Sequence, residues 1–351
     1  MKILHIITRS ELGGAQSVVI NLANSMCVDH EIFVVAGEDG PMWDALDGRI
    51  SKIKVTEIVR EVSVVKDFIA LFKLKKIYLS IKPDVIHLHS SKIGILGRLV
   101  FPPKKIVYTI HGFDSIRLKY RKFLPIEKAL KKRCKAIVGV SEYDVKNLMN
   151  ENIKDNVYLV PNGIKDFASI DTDLNPENIL AKIKIETGKK IILSISRLAL
   201  PKRFDLFCKI ADELSDFDYQ FIWIGNKEKI SPIPQNVMML GEKKDAHQYY
   251  RYSDLALLIS DYEGLPMSLI EALCYSKPII ASNVGGISEI VLNNQNGYVL
   301  NNDEDFFAEK INYILENDEI SLKFSKKSSK IFQENLTVEK MVDNYTYIYK
   351  L

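Results

Sequence analysis

Short runs of β-branched and other apolar residues alternate with longer stretches of helical periodicity along almost the whole chain. In the first half these runs are Ile3–Thr8, Glu31–Ala36, Lys54–Val59, Asp84–Leu88, Lys105–Ile110, Ala136–Val140 and Val157–Val160. In the second they are Lys190–Ile195, Tyr219–Ile224, Val237–Leu240, Leu255–Ile259, Pro278–Ala281 and Tyr298–Leu300. Several are apolar on both faces, as strands covered by helices on two sides must be. Strand–helix alternation of this kind predicts parallel sheets with right-handed crossovers, an α/β chain of two doubly wound, Rossmann-like domains. The polar segment Gly163–Asn178 has neither periodicity and reads as the linker, with Asn175-Pro-Glu-Asn opening the next helix. The expected domains are residues 1–166 and 167–334, with a C-terminal helix over about 335–351 packing back on the first.

Composition narrows the class. At 351 residues with 47% hydrophobic and 26% charged positions, the chain has the profile of a folded globular protein and excludes a disordered or collagen-like one. No stretch approaches the ~18 unbroken apolar residues of a membrane-spanning helix. Met1-Lys-Ile-Leu-His-Ile-Ile-Thr is interrupted too soon for a signal peptide and reads as a first strand. Cys27, Cys134, Cys208 and Cys274 are scattered without zinc spacing, which predicts structural thiols and a cytoplasmic protein. The net charge of +3 conceals an asymmetry: residues 1–165 hold 27 Lys/Arg against 17 Asp/Glu, and residues 166–351 hold 21 against 28. One half therefore either faces something anionic or simply carries drifting surface charge.

In open α/β sheets ligands bind beyond the carboxyl ends of the strands, so the polar residues that follow strands are the candidates. Gly13 and Gly14 precede the helical pattern Val18–Met26 and could bring backbone N–H groups close to a diphosphate, or form a plain turn. The segment is neither a dinucleotide fingerprint nor a Walker loop. His87 and His89 share one face of a strand end and could form a metal pair, but no third ligand is evident nearby; a polar strand end with Lys92 available to an anion is more economical. His111 follows the next strand, where it is either a ligand contact or a structural histidine. Arg197 and Lys202 lie on one connection and could both reach a diphosphate. Glu263 and Glu271, eight residues apart, are expected to line the same side of a helix start, where a carboxylate could accept hydroxyl hydrogen bonds from a sugar or ribose.

Glu263-x7-Glu271, with Gly264, Leu265, Pro266, Ala272, Pro278 and Gly285-Gly286-x-x-Glu289, resembles the motif of retaining glycosyltransferases of family 4. The resemblance runs through Gly13-Gly14-Ala15, His89-Ser-Ser-Lys-Ile-Gly94, His111-Gly112, Val140-Ser141-Glu142, Pro161-Asn-Gly163, Arg197…Lys202 and Asn296-Gly-Tyr. It implies the GT-B fold, two Rossmann-like domains with the active site in the cleft between them. On that likeness Arg197 and Lys202 hold the donor diphosphate, Glu271 takes the ribose hydroxyls, and Glu263 contacts the transferred sugar with backbone N–H groups after Gly264. Gly13 and Gly14 approach the donor from the other domain, His111 reaches the sugar, and His89 and Lys92 lie on the acceptor side. Retention in this family uses no protein nucleophile; the leaving phosphate oxygen takes the acceptor's proton on the same face. Two positions depart from the family pattern: Arg203 where Gly is usual, and Lys165 where Asp often follows Asn-Gly-Ile. Asp171-Thr-Asp173, Asp216-Phe-Asp218 and Asp303-Glu-Asp305 resemble metal-binding Asp-x-Asp pairs but read as surface carboxylates.

The likeness thus implies a retaining, metal-independent hexosyltransferase with no cofactor and no nucleic-acid partner. Its donor would be a nucleotide-sugar, UDP-sugars being commonest, and its acceptor a glycan or polyprenyl-diphosphate-linked glycan in surface polysaccharide assembly. A sugar-nucleotide epimerase or a non-catalytic nucleotide-sugar-binding protein on the same fold are the alternatives. Arg117–Lys135, with nine basic residues and the single acid Glu127, has the mixture of an amphipathic helix at an anionic membrane and would make the protein peripheral on the cytoplasmic face. The same pattern also suits a helix packed on the core with a solvated basic face.

Overall fold

The computed structural model describes residues 1–170, 188–228 and 230–351. The helix start at Asn175 and the Asp171-Thr-Asp173 pair lie outside the described residues. Seven strands belong to the first half: β1 Lys2–Ile6, β2 Glu31–Ala36, β3 Ser51–Lys54, β4 Val85–Leu88, β5 Ile106–Ile110, β6 Ala136–Gly139 and β7 Val157–Leu159. Six follow: β8 Lys190–Ile195, β9 Tyr219–Ile224, β10 Val237–Met239, β11 Leu255–Leu258, β12 Ile279–Ser282 and β13 Gly297–Leu300. The inner ones are largely apolar on both faces for the expected reason: all of β5 (IVYTI) and all of β9 (YQFIWI) are buried, Thr109 and Gln220 included.

The chain divides into two compact units, Met1–Lys165 joined by Val338–Leu351, and Asp166–Thr337. The first holds a sheet in the order β3-β2-β1-β4-β5-β6-β7 and the second one in the order β10-β9-β8-β11-β12-β13. Both are parallel throughout the paired strands. Strand order reverses between β1 and β4 in one sheet and between β8 and β11 in the other, which fixes the two switch points where loops open outward.

In the first unit Leu4, Ile6, Ile86, Leu88, Ile106 and Tyr108 share a core with Ala70, Leu74, Ile93, Leu124 and Leu148 from the helices on that face. Helix Gly14–Met26 and the C-terminal helix Val338–Lys350 pack together on the opposite face. The chain is held in that return by Val338 N–H donating to Ile164 O at 2.8 Å. In the second unit Phe207, Ile210, Phe221, Trp223, Leu255, Leu257, Phe307 and Ile311 form the core, with Phe207 edge-on to Trp223 at 5.1 Å.

Two elements differ from the sequence reading. The third strand is Ser51–Lys54 instead of Lys54–Val59. It is an edge strand with only Ile53 half-buried, so the apolar signal falls instead on Val55 and Ile58, which are buried in the turn that follows. Arg117–Lys135 does not form one helix: a π turn Ser115–Lys119 and a 3₁₀ turn Arg121–Phe123 lead into a six-residue helix Leu124–Ala129. Glu127, the lone acid of the stretch, faces inward and pairs with buried Arg98 at 2.5 Å, whose guanidinium lies 4.6 Å over the Tyr108 ring. A carboxylate buried there needs that partner, and the pair holds the short helix against Ser91–Val100.

Candidate functional site

At the first switch point the chain leaves β1 and enters helix Gly14–Met26 through Gly13, which is extended. A Cβ on Gly13 would sit 3.0 Å from Gln16 Oε1, while Gln16 Nε2 donates to Arg9 O at 3.0 Å. The turn is therefore tied back on itself, and the first N–H groups of a 13-residue helix open at the switch point with the positive end of its dipole. Thr8 Oγ1 and Ser90 Oγ, 2.5 Å apart, join the ends of β1 and β4.

Beneath that opening lies a chain of imidazoles. Parallel pairing sets His5 of β1 opposite His87 of β4. His5 Nδ1 is 3.0 Å from His89 Nε2, and His89 Nδ1 is 3.3 Å from Nε2 of half-buried His111. His87 is held by Tyr349 OH at 2.6 Å and Thr109 Oγ1 at 2.7 Å, and Thr109 in turn by Tyr345 OH at 2.8 Å. Burial lowers His5 to about 3 and His111 to about 4, and holds His87 and His89 well below the usual histidine range. All four are neutral, with one ring proton each. When His111 Nε2–H donates to His89, His89 donates on to His5 and His111 Nδ1 is an acceptor; the reverse order makes it a donor.

His5, His87 and His89 have ligand atoms within 4.8 Å of one another. Parallel pairing thus supplies the third histidine that sequence spacing does not reveal. Those of His87 and His89 are engaged by the hydrogen bonds just given; among the buried polar atoms described, His5 Nε2 and His111 Nδ1 are left without a partner.

The second switch point is built from the connections after β8 and β11. Arg197 is exposed just beyond β8. Lys202 bridges to Ser260, Arg203 N–H donates to Ile259 O at 3.1 Å, and Asp261 N–H to Pro201 O at 3.0 Å, so the two loops are stitched together. Lys202 Nζ lies 2.5 Å from Glu263 Oε1, both side chains largely buried. Gly285 clamps the turn from the loop after β12: with φ +59°, its backbone approaches so closely that a Cβ would fall 2.0 Å from Glu263 O. Gly286 N–H donates to Gly264 O at 2.9 Å. Pro266 caps helix Met267–Cys274, so Glu263, Gly264 and Leu265 lie on the loop before it and only Glu271 is helical. Two glutamates on one helix start is thus corrected to one on a clamped loop and one on the helix. Burial pushes the half-buried Glu271 carboxyl up to about 8.

Other expected positions fall elsewhere. His89 is buried, and Lys92 pairs with Asp67 at 2.5 Å. Arg203, which stands where glycine is usual, is occupied by Asp205 at 2.6 Å and Asp261 at 3.2 Å. Asp216 and Asp218 are exposed, and Asp303 caps helix Glu304–Leu315 by accepting from Phe306 N–H at 3.4 Å. Sequence reasoning missed His5, Tyr345 and Tyr349; the one available signal was a polar residue inside the apolar run Ile3–Ile7.

Residues 12–166 match the family described as Glycosyltransferase Family 4 and residues 175–331 that described as Glycosyl transferases group 1. The O-antigen biosynthesis glycosyltransferase WbnH of Escherichia coli is 29% identical over 98% of this chain and 97% of its own. An Escherichia coli UDP-Gal:alpha-D-GlcNAc-diphosphoundecaprenol alpha-1,3-galactosyltransferase is 26% identical over 99% and 96%. Among solved structures, Anabaena HepE in complex with UDP and glucose superimposes with a TM-score of 0.85 at 16% identity over 99% of this chain and 98% of its own. With both switch points built as described, the chain belongs to the group 1, family 4 glycosyltransferases of GT-B fold.

Proposed function

We propose that the protein is a retaining glycosyltransferase that moves a hexose-type sugar from a UDP-sugar to a lipid-diphosphate-linked glycan in surface polysaccharide assembly. The observation that carries this reading is the Lys202–Glu263 pair on the stitched loops after β8 and β11, with Arg197 on the same connection. An ammonium has three donors, so Lys202 can keep Glu263 and still take a diphosphate oxygen. Arg197, exposed and planar, supplies a fork for the same group. Glu263 is thereby fixed to receive sugar hydroxyls, and Glu271 the ribose. In the first unit, the helix start at Gly13–Gly14 and the second nitrogen of His111 offer hydrogen-bonding groups at the first switch point.

Catalysis on this reading is positioning and charge stabilisation. The glycosidic bond to phosphate breaks, the diphosphate charge develops against Arg197 and Lys202, and the leaving oxygen accepts the proton of the attacking hydroxyl on the same face. No metal or cofactor is needed for that charge. The UDP-Gal and the diphosphoundecaprenol-linked GlcNAc in the name of the galactosyltransferase relative, and the UDP held by HepE, support the choice of donor and of a lipid-linked acceptor. Such an acceptor places the protein at the cytoplasmic face of an anionic membrane, with the exposed basic residues of Arg117–Lys135 turned to it. Among the described residues no helix is long and apolar enough to cross a membrane.

Thermal-shift screening of UDP-, GDP- and ADP-sugars tests the donor, since ligand at 100 times Kd adds ~2.7 kcal/mol to apparent stability. Arg197→Ala or Lys202→Ala should each cost about 2.7–4 kcal/mol in turnover of the donor so identified, with the fold intact. Activity should survive EDTA. Wild-type rates in both variants would remove the diphosphate assignment, and loss in EDTA with rescue by Mn²⁺ would replace side chains by a metal. Interconversion of the donor without acceptor would make the protein an epimerase; binding without any donor cleavage would make it a binding protein.

A further inference from the structure

Helix Val64–Ile81 has two apolar faces. Ala70, Leu74, Ile77 and Ile81 pack on the core of the first unit. At about 100° per residue, Phe68, Phe72 and Leu79 fall within about 40° of one another on the opposite side. Phe68 and Phe72 are each 62% exposed and stack edge to face at 4.9 Å in solvent. Val64 and Val65 extend the outer stripe at the helix start, with Val64 83% exposed. A helix apolar on both sides is ordinarily covered on both.

The charges say what covers it. Residues 62–82 hold Lys66, Lys73, Lys75, Lys76 and Lys82 against the single acid Asp67, which is turned to Lys92. Lys75 and Lys76 border the outer stripe on either side, and both are exposed. A second copy seated there by two-fold symmetry would set these lysines against their own equivalents. At a lipid surface the phenylalanines enter the acyl boundary while lysines reach back to headgroup phosphates.

We propose that the outer face of helix Val64–Ile81 is the apolar anchor by which the first unit docks on an anionic bilayer. The inference deepens the reading of a lipid-linked acceptor and rests on it. It also divides the labour of attachment: Arg117–Lys135 attracts, and Phe68 and Phe72 insert.

Co-sedimentation of the full chain with phosphatidylglycerol–phosphatidylcholine vesicles, against phosphatidylcholine alone, tests it. Wild type should bind only the anionic vesicles and weaken as salt rises. Phe68→Ser with Phe72→Ser should reduce binding at least about tenfold at fixed salt. Lys75→Glu with Lys76→Glu should lose about fivefold or more for each lysine removed. All four positions are exposed, and thermal unfolding of the variants checks that the fold is kept. No binding by wild type, or equal binding by the serine variant, overturns the proposal. Binding lost only when Lys131, Lys132 and Arg133 become Glu assigns the contact to that stretch alone. A lipid-free dimer dissolved by the serine substitutions makes a second copy the occupant. Transfer to a detergent-solubilised diphospholipid acceptor by a protein that ignores vesicles would keep the function and end this inference; vesicle binding without donor cleavage would do the reverse.

Discussion

At the scale of single residues, Glu271 carries a consequence for pH. Its carboxyl is raised to about 8 by burial with no charge to offset it, so in the unliganded protein at pH 7 it is mostly protonated. A ribose whose two hydroxyls donate to it needs the carboxylate, and the ionised fraction rises about tenfold between pH 7 and pH 9. UDP affinity should therefore increase about tenfold over that interval, and binding at pH 7 should release a proton. Glu271→Gln should bind more weakly at high pH and show no such rise. Isothermal titration in buffers of different ionisation enthalpy reads both quantities; pH-independent binding by wild type would separate Glu271 from the ribose. The residue was visible in the sequence because its motif spacing is local. Its partner geometry was not: Glu263 meets Lys202, sixty-one positions away, only because β8 and β11 are neighbours in the sheet.

At the scale of elements, buried parallel strands were easy to read because they are mostly apolar on both faces, as in β5 and β9, each with a single non-aromatic polar residue, Thr109 and Gln220. Edge strand β3 was misplaced since its solvated pattern SKIK is weaker than the buried turn after it. Arg117–Lys135 was misread as one helix because periodicity cannot show that Glu127 finds a buried Arg98. Register is likewise absent from sequence, and it is register that sets His5 of β1 beside His87 of β4 and His89 just beyond it, and adds His111 after β5. These imidazoles are neutral when folded and ordinary histidines when unfolded. Below pH 6.5 the unfolded chain therefore binds more protons, and stability falls as pH falls, each fully buried histidine contributing about 1.4 kcal/mol per pH unit until its lowered folded pKa is reached. Urea midpoints should decline from pH 7 to pH 5 accordingly, and His5→Gln should flatten the slope. A midpoint constant over that range would mean the histidines take up protons in the fold as they do in the unfolded chain.

At the scale of the whole molecule, the charge asymmetry follows the units: the C-terminal return adds two basic and two acidic residues, leaving the first unit at +10 and Asp166–Thr337 at −7. That return is also structural. Val338–Lys350 leaves the second unit's sequence and buries Val338, Met341, Tyr345, Ile348 and Tyr349 in the first. Tyr345 and Tyr349 supply the hydroxyls that satisfy Thr109 and His87, and Met341 Sδ receives Gly163 N–H at 3.3 Å. Truncation after Thr337 would remove this apolar cover and leave His87 and Thr109 short of partners, each such buried orphan costing about 1–3 kcal/mol. The second unit keeps its own sheet and core. Calorimetry of the truncated chain should therefore show the first unit's transition lowered or lost, while a transition that UDP raises persists. Tyr349→Phe in the full chain should give a smaller drop of the same transition, because it deletes one hydroxyl and keeps the packing. If truncation left both transitions in place, the C-terminal helix would be an accessory of the first unit; if it abolished both, the two units would fold only as one.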